Sequence, residues 1–319
     1  AGTRLLNLLA GIRESILASI ARILPPREAG LAAAVLLGVR GPEHRTRGAA
    51  FTSLGLAHLF AVSGLHVGIL LGLFTLPGRL AAAGPAARFV PLIVILPVYA
   101  LLTGLPGSVV RAVGLALLGL AGPVVGVRVE PLRILGLLFW AGCVWEPRQV
   151  LDTGLQLSYL AAGGILAVSG LTDGFRFAVP GWLRWPTAGI GVSVAAQWFT
   201  LPVVAASFGR ISLVSPLANL VAVPVFGIGV WLTAVAVLLE RVHPLVGAGP
   251  AAWAWLVYRG LAGLVAVLDG YSDGVPLGLP APGILPVGLW ILLSGIGLAL
   301  LGRRSRPSPG SPSRVVLPL

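Results

Sequence analysis

Long uncharged apolar runs, separated by short stretches of Gly, Pro and Arg, fill most of the chain beyond residue 28. Runs of about 20 such residues cross a ~30 Å hydrocarbon core as helices. The pattern predicts spans at 48–76, 89–103, 109–127, 132–144, 154–171, 185–208, 214–240, 251–268 and 284–301. Several are short, so the expectation is roughly seven to nine crossings. The first run, 48–76, is too long for one straight span, and Ser63-Gly64 near its middle invites a break. The apolar stretch 29–39 is short for a span and suits a re-entrant, tilted or bundle-packed segment.

The N-terminal segment is patterned differently. Leu5, Leu9, Ile12, Ile16, Ile20 and Ile23 recur at three- and four-residue steps, with Arg4, Arg13, Glu14 and Arg22 largely off that stripe. That periodicity predicts an amphipathic helix in the membrane interface over residues 1–27, ended by Pro25-Pro26. Residues 28–302 then form a transmembrane domain. Residues 303–319 read as an Arg/Pro/Ser linker tail without apolar periodicity. The predicted fold is an all-α polytopic transmembrane helix bundle with several broken spans.

Composition agrees with this pattern. Of 319 residues 57% are hydrophobic and only 10% charged, with a mean hydropathy of +0.97. Soluble domains average about a quarter charged residues, so an ordinary water-soluble enzyme is excluded. All 22 basic residues are arginine against ten acids, a net charge of +12. That excess suits polyanions or anionic head groups, and equally suits loop arginines that fix membrane orientation. Arginines occupy nearly every loop, so orientation is not decided by them, and the basic tail favours a cytoplasmic C-terminus only weakly. The lone Cys143 excludes internal disulfides and CxxC chemistry, and reads as a small core residue. No signal peptide is evident at the start, and the absence of methionine suggests a fragment or processed chain.

Polar groups within apolar spans are costly, which makes each a functional candidate. On one continuous helix, Thr52, Gly55, His58, Ser63 and His66 would share a face. Interhelical hydrogen bonding in a tight seam and the lining of a conduction path both explain that face. A metal site does not suit the eight-residue histidine spacing, and no acid or cysteine lies nearby in sequence; no metal or cofactor is expected. Ala61-Val62-Ser63-Gly64 resembles the GxSG of rhomboid-type intramembrane serine proteases, with alanine replacing the first glycine. No histidine at membrane depth on another span would complete such a pair.

Arg111 begins an apolar helix just after Gly104-Leu105-Pro106-Gly107, where it either snorkels or awaits a phosphate. Asp152 precedes the next helix and suits an N-cap, while Gln156 and Ser158 point about 160° apart and cannot share one lining. Asn219 lies between Pro216 and Pro224, the pattern of a broken helix whose freed carbonyls need a donor. Gly64, Pro106, Pro202 and Pro224 are the expected helix breaks. Trp182, Trp185 and Trp198 suit an interfacial belt or a base-stacking platform.

Four ordered stretches carry a family resemblance. His58–Leu70 (HLFAVSGLHVGIL), 104–112 with Arg111-Ala112, 152–165 (DTGLQLSYLAAGGI) and 201–224 (LPVVAASFGRISLVSPLANLVAVP) closely resemble the signatures of ComEC-type competence membrane proteins. The resemblance runs from about residue 28 to at least 240. It implies a non-enzymatic channel in the bacterial inner membrane that passes single-stranded DNA into the cytoplasm during natural transformation. It also implies an extracytoplasmic DNA receptor, and a cytoplasmic motor or DNA-binding protein, since no phosphate loop is present here. Members of the family usually carry a flanking OB-like domain and a metallo-β-lactamase-like nuclease domain. Neither is evident here, and the family's tail domain is expected outside the cell. Within the resemblance His58, Ser63, His66, Arg111, Asp152, Gln156 and Asn219 are the expected path lining. The residues alone leave two other classes open: a small-molecule or ion transporter, and an intramembrane serine hydrolase.

Overall fold

The structure, a computed structural model, describes residues 2–39, 50–59, 62–127, 129–172, 180–269, 275–276, 288, 290 and 294. Ten α-helices account for most of them. They are α1 (Gly2–Ile23), α2 (Pro26–Leu37), α3 (Gly64–Leu80), α4 (Pro85–Leu102) and α5 (Gly107–Val125). There follow α6 (Pro131–Trp145), α7 (Thr153–Thr172), α8 (Arg184–Phe208), α9 (Ser215–Glu240) and α10 (Pro244–Asp269). The sole β pairing among the described residues is a two-residue antiparallel ladder, Arg210–Ile211 against Val275–Pro276. It ties the α8–α9 connection to the segment beyond α10. The all-α bundle expected from the apolar pattern is the fold observed.

Prolines mark the helix starts. Pro26, Pro85 and Pro131 each occupy a first-turn position, where the missing N–H breaks no hydrogen bond. The helices containing 107–125, 181–208, 215–240 and 244–269 are long and apolar enough to cross a membrane, and four shorter apolar helices accompany them. Their outer faces carry exposed large hydrophobics such as Val94, Leu137, Trp140, Trp185 and Trp253. In water an exposed apolar surface on this scale would drive aggregation, whereas lipid tails cover it at no cost. The span expected at 284–301 lies almost wholly outside the described residues, of which 288, 290 and 294 are helical. The tail 303–319 lies outside them entirely.

The helix α9 is the hub, packing on α1, α2, α3, α8 and α10. One apolar cluster joins α1, α2, the 51–59 segment, α9 and α10, with Leu54, Ile20 and Ala254 at its centre. A second joins residues 62–70 to α4 and α5 around Leu92, Leu96 and Val109. The α9–α10 seam is fastened by a buried bond between Thr233 Oγ1 and the Tyr258 hydroxyl, 3.1 Å apart, where Tyr258 packs over Gly229.

The helix α1 has two faces: Leu6 and Leu8 are exposed, whereas Ile20 and Leu24 are buried in the first cluster, with Ser19 buried beside them. Its end is clasped to α9, with Arg22 donating to Glu240 (2.8 Å) and Arg241 to Ser15 Oγ. That bond also raises the Arg22 pKa, so its charge is secure. One expectation is corrected here: Pro202 and Pro224 break nothing, since α8 and α9 run through them as continuous helices. Proline is tolerated inside a membrane helix where neighbouring groups satisfy the freed backbone. The stretch 29–39 is the bundle-packed α2, most of whose residues are buried.

Candidate anion site at converging helix ends

The run 48–76 is interrupted, and over a longer stretch than Ser63-Gly64. Helical geometry ends at Ser53, a single 3-10 turn covers Ala57–Leu59, and α3 starts at Gly64. Gly55 enforces the interruption. Its φ of +72° lies in the left-handed region, and a Cβ there would sit 2.6 Å from Ser215 Oγ at the start of α9. The single helix face shared by Thr52, Gly55, His58, Ser63 and His66 is therefore not formed. His58 lies on the 3-10 turn, exposed, and its Nδ1–H donates to the Gly55 carbonyl (3.1 Å). His66 lies in the first turn of α3 and is 1% exposed. Nothing brings the two imidazoles to one metal ion, and no metal-holding group of His, Cys, Asp or Glu occurs among the described residues.

The His66 ring has a defined tautomer. Its Nδ1 accepts from the backbone N–H of Ser63 (3.1 Å), with Ser63 Oγ 3.3 Å from the same nitrogen. The proton is therefore on Nε2, which is buried and has no hydrogen-bond partner. The ring meets Phe226 of α9 edge-on, centroids 5.5 Å apart. Because the basic lone pair is already taken by the Ser63 amide, His66 is poorly placed to deprotonate Ser63.

The N-terminal end of α5 packs against this turn. Ser108 donates to the Val62 carbonyl (2.7 Å), and Gly64 approaches Ala112 so closely that a Cβ would lie 3.4 Å from the alanine methyl. Pro106 is the N-cap of α5, as expected of a break, and no side chain caps that end. One turn in, Arg111 is only 7% exposed, and its Nη1 and Nη2 are buried without hydrogen-bond partners. It does not snorkel to an interface. Its guanidinium lies 4.5 Å from the centroid of the Tyr159 ring on α7, and Tyr159 packs edge-on against Phe139 of α6. Asp152 attracts the guanidinium without bonding to it.

Two helix N-termini thus meet inside the bundle. Near those ends lie buried, unpartnered donors in two places: His66 Nε2, on a ring packed against Phe226 of α9, and Arg111 Nη1 and Nη2, beside Tyr159 of α7. Leaving a buried donor unmade costs about 1–3 kcal/mol, more for a charged one. Helix N-termini carry positive partial charge, and donors without acceptors suit an anion.

The other expected lining residues do not join these donors. Asp152 is exposed and accepts from the Leu155 N–H (2.7 Å), a helix cap. Gln156 donates to the Val150 carbonyl (2.8 Å). Asn219 donates not to a carbonyl freed by Pro224 but to Ser193 Oγ (2.8 Å) and Ser215 Oγ (3.3 Å), joining α8 to α9. Beside it Gln197 donates to the Ser212 carbonyl. Trp182 and Trp185 are exposed, and Trp198 stacks on Trp290 and bonds Ser294. Sequence reasoning passed over Tyr159, although the cap at Asp152 sets the register that turns it toward Arg111.

The comparisons bear on what such a site serves. No solved structure matches the chain. ComE operon protein 3 of Bacillus subtilis (strain 168) is 31% identical over 216 residues, 67% of this chain and 27% of that protein. Competence protein ComA of Neisseria gonorrhoeae is 32% identical over 264 residues, 78% of this chain and 36% of its own length. The chain therefore spans about a third or less of these relatives. The Competence protein family model matches residues 35–304, which include both converging helix ends and Arg111. The chain belongs to the Competence protein family.

Proposed function

We propose that this domain conducts single-stranded DNA across the bacterial inner membrane during natural transformation, acting as a channel and not as an enzyme. The observation that carries the reading is the buried Arg111 guanidinium, whose Nη1 and Nη2 have no hydrogen-bond partner near the start of α5. A strand in transit offers one phosphate per nucleotide, an acceptor-rich anion of the kind that donor set lacks. The Tyr159 ring beside Arg111 offers an aromatic face without discriminating among bases. A serine-hydrolase role is disfavoured, because the only lone pair on His66 is held by the Ser63 amide. Membership of a competence family supports a place in DNA uptake. The driving force falls to a cytoplasmic motor or DNA-binding protein, and delivery to an extracytoplasmic receptor.

The test is DNA uptake in a naturally competent host carrying the complete gene with Arg111→Ala. Loss of a charge-assisted phosphate contact is worth about 1.5–3 kcal/mol, so uptake falls about tenfold or more at unchanged membrane abundance. Uptake at the wild-type level would remove Arg111 from the path. A small-solute carrier would also leave the purified protein without the steep salt dependence of single-stranded DNA binding.

A further inference from the structure

A second basic site lies away from the converging helix ends. Two cavities, of about 500 Å³ and 920 Å³, lie side by side between the α1–α2 elbow and α10, with Pro25 and Trp255 in the walls of both. At one end of the pair Arg27 and Arg259 line the wall, both exposed and neither ion-paired with any described residue. The Arg259 guanidinium stands 5.3 Å from the Trp255 ring centroid. Glu28 also lines this end, but it sits in the first turn of α2, where the helix end already offsets its charge. The two guanidiniums therefore outweigh the one carboxylate. At the other end Arg22 and Glu240 neutralise each other, and the wall between is small and apolar: Pro244, Ala248, Ala251 and Ala252.

A cationic mouth beside an apolar slot matches a ligand with one anionic head and a long apolar tail. A free phosphate would leave the slot empty, and a nucleic acid strand has flat bases and no long apolar tail to fill it. The elbow ends a helix whose apolar stripe and off-stripe arginines are the pattern of an interfacial helix, and anionic lipids are abundant at that interface. We propose that the two cavities together hold one anionic phospholipid, its phosphate between Arg27 and Arg259 and an acyl chain along α10. Bound there, the lipid would brace the α1–α2 elbow against the α9–α10 pair. Basic pockets between transmembrane helices recognise phosphate head groups in this way.

The experiment reconstitutes the full chain in phosphatidylcholine vesicles with or without phosphatidylglycerol, extracts it in detergent, and counts retained lipid by native mass spectrometry. Phosphatidylglycerol should stay bound at one per chain while phosphatidylcholine washes away. R27Q and R259Q should each weaken retention about fivefold. A252W, which fills the slot and keeps both charges, should also weaken it, with unfolding temperatures in phosphatidylcholine showing that each variant is folded. Equal retention of the two lipids, or retention unchanged in R27Q/R259Q and in A252W, would overturn the proposal. So would full displacement of the lipid by millimolar inorganic phosphate or by a single-stranded oligonucleotide. The outcome is independent of DNA uptake, because Arg27 and Arg259 line no part of the Arg111 site.

Discussion

Replacing Arg111 with methionine should stabilise the protein while lowering DNA uptake about tenfold or more. Methionine keeps much of the length and flexibility of the side chain and removes the guanidinium. In the wild type that group is 7% exposed with Nη1 and Nη2 unpartnered. An arginine at the centre of a membrane helix costs about 2.5–3.5 kcal/mol, the upper bound for Arg111 one turn into α5. Its contact with the Tyr159 face returns about 2 kcal/mol in a desolvated setting. The difference, about 0.5–1.5 kcal/mol, is what methionine should recover. The assay is equilibrium unfolding of the purified chain in mixed micelles, with Tyr159→Leu and the double variant closing a cycle. Arg111→Met should raise stability, Tyr159→Leu should lower it, and the coupling between them should be about 2 kcal/mol. A loss of more than about 1 kcal/mol in Arg111→Met would refute the reasoning. The guanidinium would then be a satisfied structural group, and its unmade bonds could not be read as a waiting ligand site.

Further outcomes follow from other positions. Gly55→Ala should cost about 2–4 kcal/mol, combining left-handed backbone strain with overlap on Ser215. Adding Ser215→Gly should return the overlap part only, as read from unfolding midpoints. Thr233→Val leaves the Tyr258 hydroxyl buried without its partner, and should lower stability by about 1–3 kcal/mol in the same titration. Ser63 should resist fluorophosphonate labelling in intact membranes, since His66 has no free lone pair to activate it. Stoichiometric labelling lost in Ser63→Ala would revive the hydrolase.

What the sequence made legible follows from what one-dimensional patterns encode. Hydropathy located α4 to α9 within a few residues, and α10 apart from its first two turns, because lipid demands an apolar run of nearly fixed length. Pro106 announced the start of α5 through local backbone chemistry, whereas the burial of Arg111 was left open and only packing decides it. The divergence of His58 and His66 was not legible, because a helical projection assumes the continuity that Gly55 removes. Gly55 is special through Ser215, a residue 160 positions later, and only packing brings them together. Pro202 and Pro224 misled in the opposite direction: as punctuation they read as breaks, yet the bundle carries both helices through them. Asn219 shared that error, its true partners being hydroxyls on α8 and at the start of α9. Tyr159 drew no reading of its own, because only the packing of α7 beside α5 sets its ring against Arg111.

The central claim is that an incoming strand passes Arg111, and cross-linking tests it most directly. A photoreactive benzoylphenylalanine would replace Tyr159 in the complete gene of a competent host, and labelled DNA would be irradiated during uptake. The control position is Trp145, 88% exposed on the outer face of the bundle. The account predicts protein–DNA adducts from position 159 and none from 145, with the adducts at 159 lost when Arg111→Ala is added. Uptake proceeding normally with no adduct at 159, or with equal adducts at both positions, would contradict it.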